Sequence, residues 1–298
     1  MDYIRLGKAI YNMKNPREAR RCVVFVVRSW LNRTRMERLA QFFAKDPLLT
    51  RLAKTCPTLY EQPTRAFFYN GSTFDSRIEL LCQHMRFLRN KCKDDVLLGL
   101  YDGAMYPLWE SKDDGEPLCF TLEFNPGQRK EGLLSLVLRL GTQTLYQVMF
   151  WVAPNAAGEP SLWIGALQGP NMENAKDIVV RVTRRCHSYR TKNFMLHATQ
   201  EMAKALGLRH IYAVTNQGYY ANAHIRLDRK LKTDFTEFWK ESGGKPCKDT
   251  RFYELPMTEA RKTPEEIPAR KRNYYRKRYA MLDEADAAIA SAVQELSK

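Results

Sequence analysis

The stretch His187-Ser188-Tyr189-Arg190-Thr191-Lys192-Asn193 stands between two segments of helical periodicity and carries two cations and a carboxamide where the second helix must begin. The first turn of a helix leaves its backbone N–H groups unpaired and presents the positive end of the peptide dipoles, so Arg190, Lys192 and Asn193 suit a phosphate or pyrophosphate. Gln168 and Gly169 end an apolar strand just ahead of Pro170, where they serve either as the polar wall of a pocket or as a turn. Asn216 closes a later strand and Tyr220 follows it. With His84 from an upstream helix they would line an acceptor side, His84 acting as general base. Each feature also has a plain structural reading: a helix–helix turn with solvated cations, a pure turn at Gln168-Gly169, and a core histidine beside an apolar stripe.

The elements that must position these residues follow from pattern. Leu162-Trp163-Ile164-Gly165-Ala166-Leu167 reads as a strand, and Ile211-Tyr212-Ala213-Val214-Thr215 as its parallel partner across two helices. A crossover of that length is what parallel strands need. Upstream, alternation and short turns predict strands at Leu118–Phe124, Leu133–Leu140 and Leu145–Val152, an antiparallel meander. Phe74, Ile78, Leu81, Met85 and Leu88 form a core-facing stripe on a helix that Ser72 or Thr73 can cap. Phe252-Tyr253-Glu254-Leu255-Pro256 reads as an edge strand, and residues 217–231 as a loop with a short helix. The fold class is therefore α/β (α+β): a mixed, largely antiparallel sheet with covering helices and an N-terminal helical layer. The division is a basic helical region at 1–70, a core domain at 71–260 and a basic, aromatic tail at 261–298.

Net charge is +15 over 298 residues, which favours anionic partners. Met1 to Lys54 holds thirteen Lys/Arg against four Asp/Glu. Residues 261 to 279 hold eight Lys/Arg and two Glu, interleaved with Tyr274, Tyr275 and Tyr279. These basic ends suit an anionic membrane surface or RNA, or are simply solvated faces. The oligomeric state is not written in the sequence. Seven cysteines, an odd number with no Cys-x-x-Cys, fit a reducing cytoplasm, and no Cys/His group has metal spacing, so no metal is expected. Cys22 to Val27 is too short an apolar run to cross a membrane, which leaves a cytoplasmic protein or one lying peripherally on the inner membrane. A nucleophile elbow, a Walker loop and a Rossmann fingerprint are all missing, which removes support for hydrolase and nucleotide-binding classes.

The order of elements from Gln168 to Asn216, with Ala203-Lys204-Ala205-Leu206-Gly207-Leu208 ending the second helix, resembles the second half of a GNAT-type acyltransferase. That resemblance implies an acyl- or aminoacyl-transferase whose donor, acyl-CoA or another phosphate-bearing acyl carrier, rests on the second helix start. The loop glycines usual in that family are replaced here by Ser188, Thr191 and Asn193. A second ordered set resembles the VirK/YbjX family (the DUF535 domain) of bacterial proteins. Its pieces are Arg77 with His84, Glu131-Gly132, Ile164 to Gly169, Lys192 to Leu196, Ala213 to Asn216, Phe238 to Glu241 with Gly243-Gly244, Phe252 to Pro256, and Lys271-Arg272 with Tyr275 to Tyr279. The family's hinge usually carries a glycine, and a histidine tends to follow the Asn216 strand where Tyr219-Tyr220 stand here. This second resemblance implies a cytoplasmic bacterial protein tied, in some relatives, to virulence or envelope-stress resistance. A non-catalytic adaptor on membrane or RNA is the competing reading.

Overall fold

A computed structural model of the chain describes residues 1–112, 115–223 and 234–298. Four helices open it: α1 (Tyr3–Ile10), α2 (Pro16–Leu31), α3 (Arg33–Ala44) and α4 (Pro47–Thr55). Asn15 and Asp46 cap α2 and α4 through their side-chain oxygens, each followed by a proline that suits the first helical position. Next come α5 (Phe74–Lys91) and α6 (Asp94–Tyr101). Thr73 caps α5 in a reciprocal box with Ser76.

The sheet begins with β1 (Tyr106–Glu110), which the sequence pattern does not signal. It runs on through β2 (Leu118–Glu123), β3 (Leu134–Leu140), β4 (Gln143–Pro154) and β5 (Pro160–Gln168), each antiparallel to the one before. The crossover is two helices, α7 (Ala175–Arg185) and α8 (Thr191–Ala205), and it delivers β6 (His210–Val214) parallel to β5. Gly207, at φ +78°, makes the left-handed stop that lets α8 turn into β6. After α9 (Phe235–Glu241), β7 (Lys245–Pro246) and β8 (Phe252–Leu255) complete the order β1-β2-β3-β4-β5-β6-β8-β7. Phe252–Leu255 is thus not the edge: it pairs with β6 on one side and with the two-residue β7 on the other. The expected loop at 217–231 includes a 3-10 turn at Tyr220–Ala223, and the remainder from 224 lies outside the described residues.

One buried cluster draws on all three sequence regions. It takes Leu39, Phe43 and Leu52 from the N-terminal helices, Phe120, Leu138, Phe150 and Phe194 from sheet and crossover, and Leu282, Ala285, Ile289 and Val293 from α10 (Arg272–Leu296). A smaller cluster of Tyr11, Cys22, Phe25 and Met36 holds α1, α2 and α3 together. Tail side chains are used internally too. Tyr275 and Tyr279 meet edge to face, and Arg278 stacks over Tyr189 and Tyr275.

Candidate active site

The hinge between α7 and α8 turns without glycine. His187 and Ser188 both sit at positive φ, +51° and +59°, a conformation that L-residues adopt at a cost. Arg278 of α10 holds them there, donating to the His187 carbonyl at 3.0 Å and the Ser188 carbonyl at 2.9 Å. The turn opens a cavity of about 620 Å³ lined by Ser188, Arg190, Asn193, Lys271, Tyr274 and Arg278, among others. The Asn193 Oδ1 is buried there with no partner. Arg190 stands 3.7 Å from Glu241 and is mostly exposed. Lys192 parts from this group: its Nζ lies 4.0 Å above the Phe238 ring, and burial lowers its pKa.

Gln168 and Gly169 belong to a different place. The β5–β6 ladder runs from Ser161↔His210 to Ile164↔Ala213 and stops, while β5 continues to Gln168. The chain at Glu131 fills the space that opens. A Cβ on Gly165 would lie 1.8 Å from the Glu131 carbonyl oxygen, so only glycine admits that segment. The Gln168 Nε2 donates to Glu131 Oε2 at 2.6 Å, and the Tyr219 hydroxyl donates to Glu131 Oε1. Gln128 and Gln147 bond Gln168 at 3.1 Å each. Gly169 lies against the Tyr146 ring. Tyr220 packs edge-on against Tyr219 and Phe67, which places it beside this cluster.

Glu131 is only 3% exposed, and burial pushes its carboxyl up to about 7, against the opposing pull of its hydrogen bonds to Tyr219 and Gln168. Burial, helped by the charge of Glu131, drives the Tyr219 phenol upward as well. A carboxyl poised there is part ionised at neutral pH and can take a proton and return it. Polar side chains continue across the same rows of the sheet. Thr121, Gln147 and Gln168 lie on one row of register partners that Val137 interrupts, and Arg139 grips both Glu123 oxygens at 2.7 and 2.9 Å. Buried polar groups must each find a partner, and these find theirs in one another.

His84 and Asn216 are placed as structural parts. His84 is fully buried; its Nδ1 accepts the Val152 amide at 3.0 Å and its Nε2 meets the Tyr101 hydroxyl at 3.2 Å. Desolvation drops its pKa to about 3, so it is a neutral acceptor in the core, with neither nitrogen open to an acceptor substrate. Asn216 is consumed in holding α9: its Oδ1 accepts from the Phe235 amide at 2.8 Å and its Nδ2 donates to Asp234 at 2.9 Å. Of the residues singled out by sequence, Arg190 and Asn193 share the hinge cavity, while Gln168 bonds Glu131 and Tyr220 packs on Tyr219, the other residue that bonds it. In the sequence, Glu131 stands out only as part of the Glu131-Gly132 family motif. The available signal is an acid one glycine ahead of a largely apolar strand.

Among the described residues, His197, Glu201 and Asp286 form a group able to hold a metal ion, with ligand atoms within 4.8 Å of one another. His197 and Glu201 are one helical turn apart on α8. Both carboxylates already face cations, Lys204 at 2.5 Å from Glu201 and Arg261 at 3.6 Å from Asp286.

Similarity to known proteins covers most of the chain. The family described as "Protein of unknown function (DUF535)" matches residues 14–291. An uncharacterized protein of Haemophilus influenzae is 29% identical over 282 residues, spanning 90% of this chain and 86% of the relative. The uncharacterized protein YbjX of Escherichia coli K12 is 29% identical over 261 residues, 86% of this chain and 77% of YbjX. A Mannheimia haemolytica protein named membrane protein LapB is 25% identical over 194 residues, 63% of this chain and 80% of that one. No solved structure matches the chain.

Proposed function

The chain belongs to the DUF535 family, and from the geometry of its site we propose that it is an acyl- or aminoacyl-transferase whose general base is Glu131 and whose donor carries phosphate. The observation that carries this reading is the buried Glu131 carboxyl, bonded by Gln168 and Tyr219 where the parallel strands part, with burial raising its pKa. Gln168 and Tyr219 orient it, and Tyr220, packed edge-on against Tyr219, would border the acceptor path. The acceptor is an amine or hydroxyl that must lose a proton as it attacks the acyl carbon; the carboxylate takes that proton and the departing donor receives it back. The donor's phosphates rest in the hinge cavity, on the α8 amide ends with Arg190 and Lys271 as counter-charges. The adaptor reading through the tail has less support, because Tyr275, Tyr279 and Arg278 are spent on internal packing.

The test is a donor panel of acyl-CoA thioesters and stable aminoacyl-adenylate mimics, read by melting temperature and then by turnover. One donor class should raise the melting temperature, and Arg190→Ala with Lys271→Ala should abolish the rise. Glu131→Gln should keep the rise while lowering turnover by about a hundredfold or more, the usual scale for losing a general base. Absence of any shift across the panel would defeat the proposal.

A further inference from the structure

One face of α2 has no partner. Cys22, Phe25 and Ser29 turn inward, while Val23, Val27, Trp30 and Leu31 are 60%, 50%, 63% and 67% exposed. Positions i, i+4, i+7 and i+8 fall in one arc of about 100° on a helix, so these four side chains make a continuous apolar stripe. Arg20 lies within the same arc, and Arg17, Arg21 and Arg28 follow on its flank at helical spacing. Beyond Trp30, Arg33, Arg35 and Arg38 border an open groove of about 580 Å³ against Trp30 and Leu31. A single exposed valine needs no explanation, but a row ending in Trp30 and Leu31 and edged by arginines does.

We propose that α2 docks the protein on an anionic lipid surface, lying in the plane of the headgroups with Val23, Val27, Trp30 and Leu31 among the upper acyl chains. The charge of the region decides between occupants. With thirteen Lys/Arg against four Asp/Glu from Met1 to Lys54, a second copy of the chain would bring two cationic faces together. Phosphate headgroups supply the opposite sign, and a tryptophan at the stripe's end suits the boundary between tails and headgroups. No helix among the described residues is long and apolar enough to cross a bilayer, so α2 would lie on the membrane rather than span it. Cys22 and Phe25 stay anchored in the protein, so the helix need not detach to bind.

Flotation of the full chain with vesicles tests this, using phosphatidylcholine alone and phosphatidylcholine with phosphatidylglycerol. Binding should need the anionic lipid and weaken with salt. The triple change Val23→Ser/Val27→Ser/Trp30→Ser should cut it by about tenfold or more. Arg17→Glu/Arg20→Glu should also weaken it. Both variants alter exposed positions, so their melting temperatures should match the wild type and show that the fold is kept. Three outcomes would overturn the proposal: no binding to anionic vesicles at low salt, equal binding by the serine variant, or a solution dimer that this variant converts to monomer.

Discussion

Replacing Glu131 with glutamine should stabilise the protein above neutral pH and leave it unchanged in acid. The carboxyl's ordinary value is 4.5, and burial raises it to about 7 in the folded chain. Below 4.5 both states hold the proton and the group contributes no difference. Between 4.5 and about 7 the unfolded chain ionises while the folded one stays protonated, so folding stability falls as pH rises. Above about 7 the loss is complete and the curve levels. At 1.36 kcal/mol per pH unit, the interval from 4.5 to about 7 corresponds to roughly 3 kcal/mol. Glutamine carries no charge at any pH and can still accept from Tyr219 and meet Gln168, whose amide can turn to suit. Urea unfolding of both proteins from pH 4 to 9 gives the comparison, because other titrating groups cancel in the difference. The variant should gain up to about 3 kcal/mol by pH 8, roughly 6 °C in melting temperature. Parallel curves would refute the reasoning, and so would a variant less stable at pH 8, which would mean that the folded site favours the charged carboxylate.

Two further substitutions test the frame around the site. His84 is neutral down to about 3 in the fold but titrates at 6.5 when unfolded, so stability should fall as pH drops through that window, by up to ~5 kcal/mol. His84→Phe should be about 1–3 kcal/mol less stable at pH 7, a typical cost of orphaning the Val152 amide, yet lose less in acid; urea midpoints from pH 4 to 7 measure both. Gly165→Ala should cost about 3 kcal/mol or more, because backbone and not a flexible side chain stands in the way; a wild-type urea midpoint would show that the Glu131 segment is not pinned to β5.

Local pattern made much of the frame legible. The meander from Leu118 to Gln168 alternates or runs apolar between short turns, and the crossover announces itself by two helical periods around a polar hinge. β1 escaped because Tyr106 to Glu110 is short and contains a proline, and its partner is the central-looking β2. The edge assignment of Phe252–Leu255 failed because its outer partner, Lys245–Pro246, is too short to show any pattern. Site residues were harder for a different reason. Glu131, Gln168 and Tyr219 are far apart in sequence and meet only because β5 outruns β6. His84 and Asn216 look available as letters, yet the fold uses them as a ladder acceptor and a helix clamp. Charge gave no way to tell Lys192, lying on Phe238, from Arg190, facing the cavity.

The glycine-free hinge ties two distant parts of the gene to one another. His187 and Ser188 keep their left-handed backbone because a guanidinium from the last helix braces both carbonyls. A relative with glycine at either position could let that arginine drift, whereas one that loses the arginine must first acquire a glycine. The C-terminal helix is accordingly a brace and not a detachable tether. Trimming it would deform the start of α8 as well as strip four side chains from the interior. Hinge and terminus should therefore change together across relatives, as two halves of one joint.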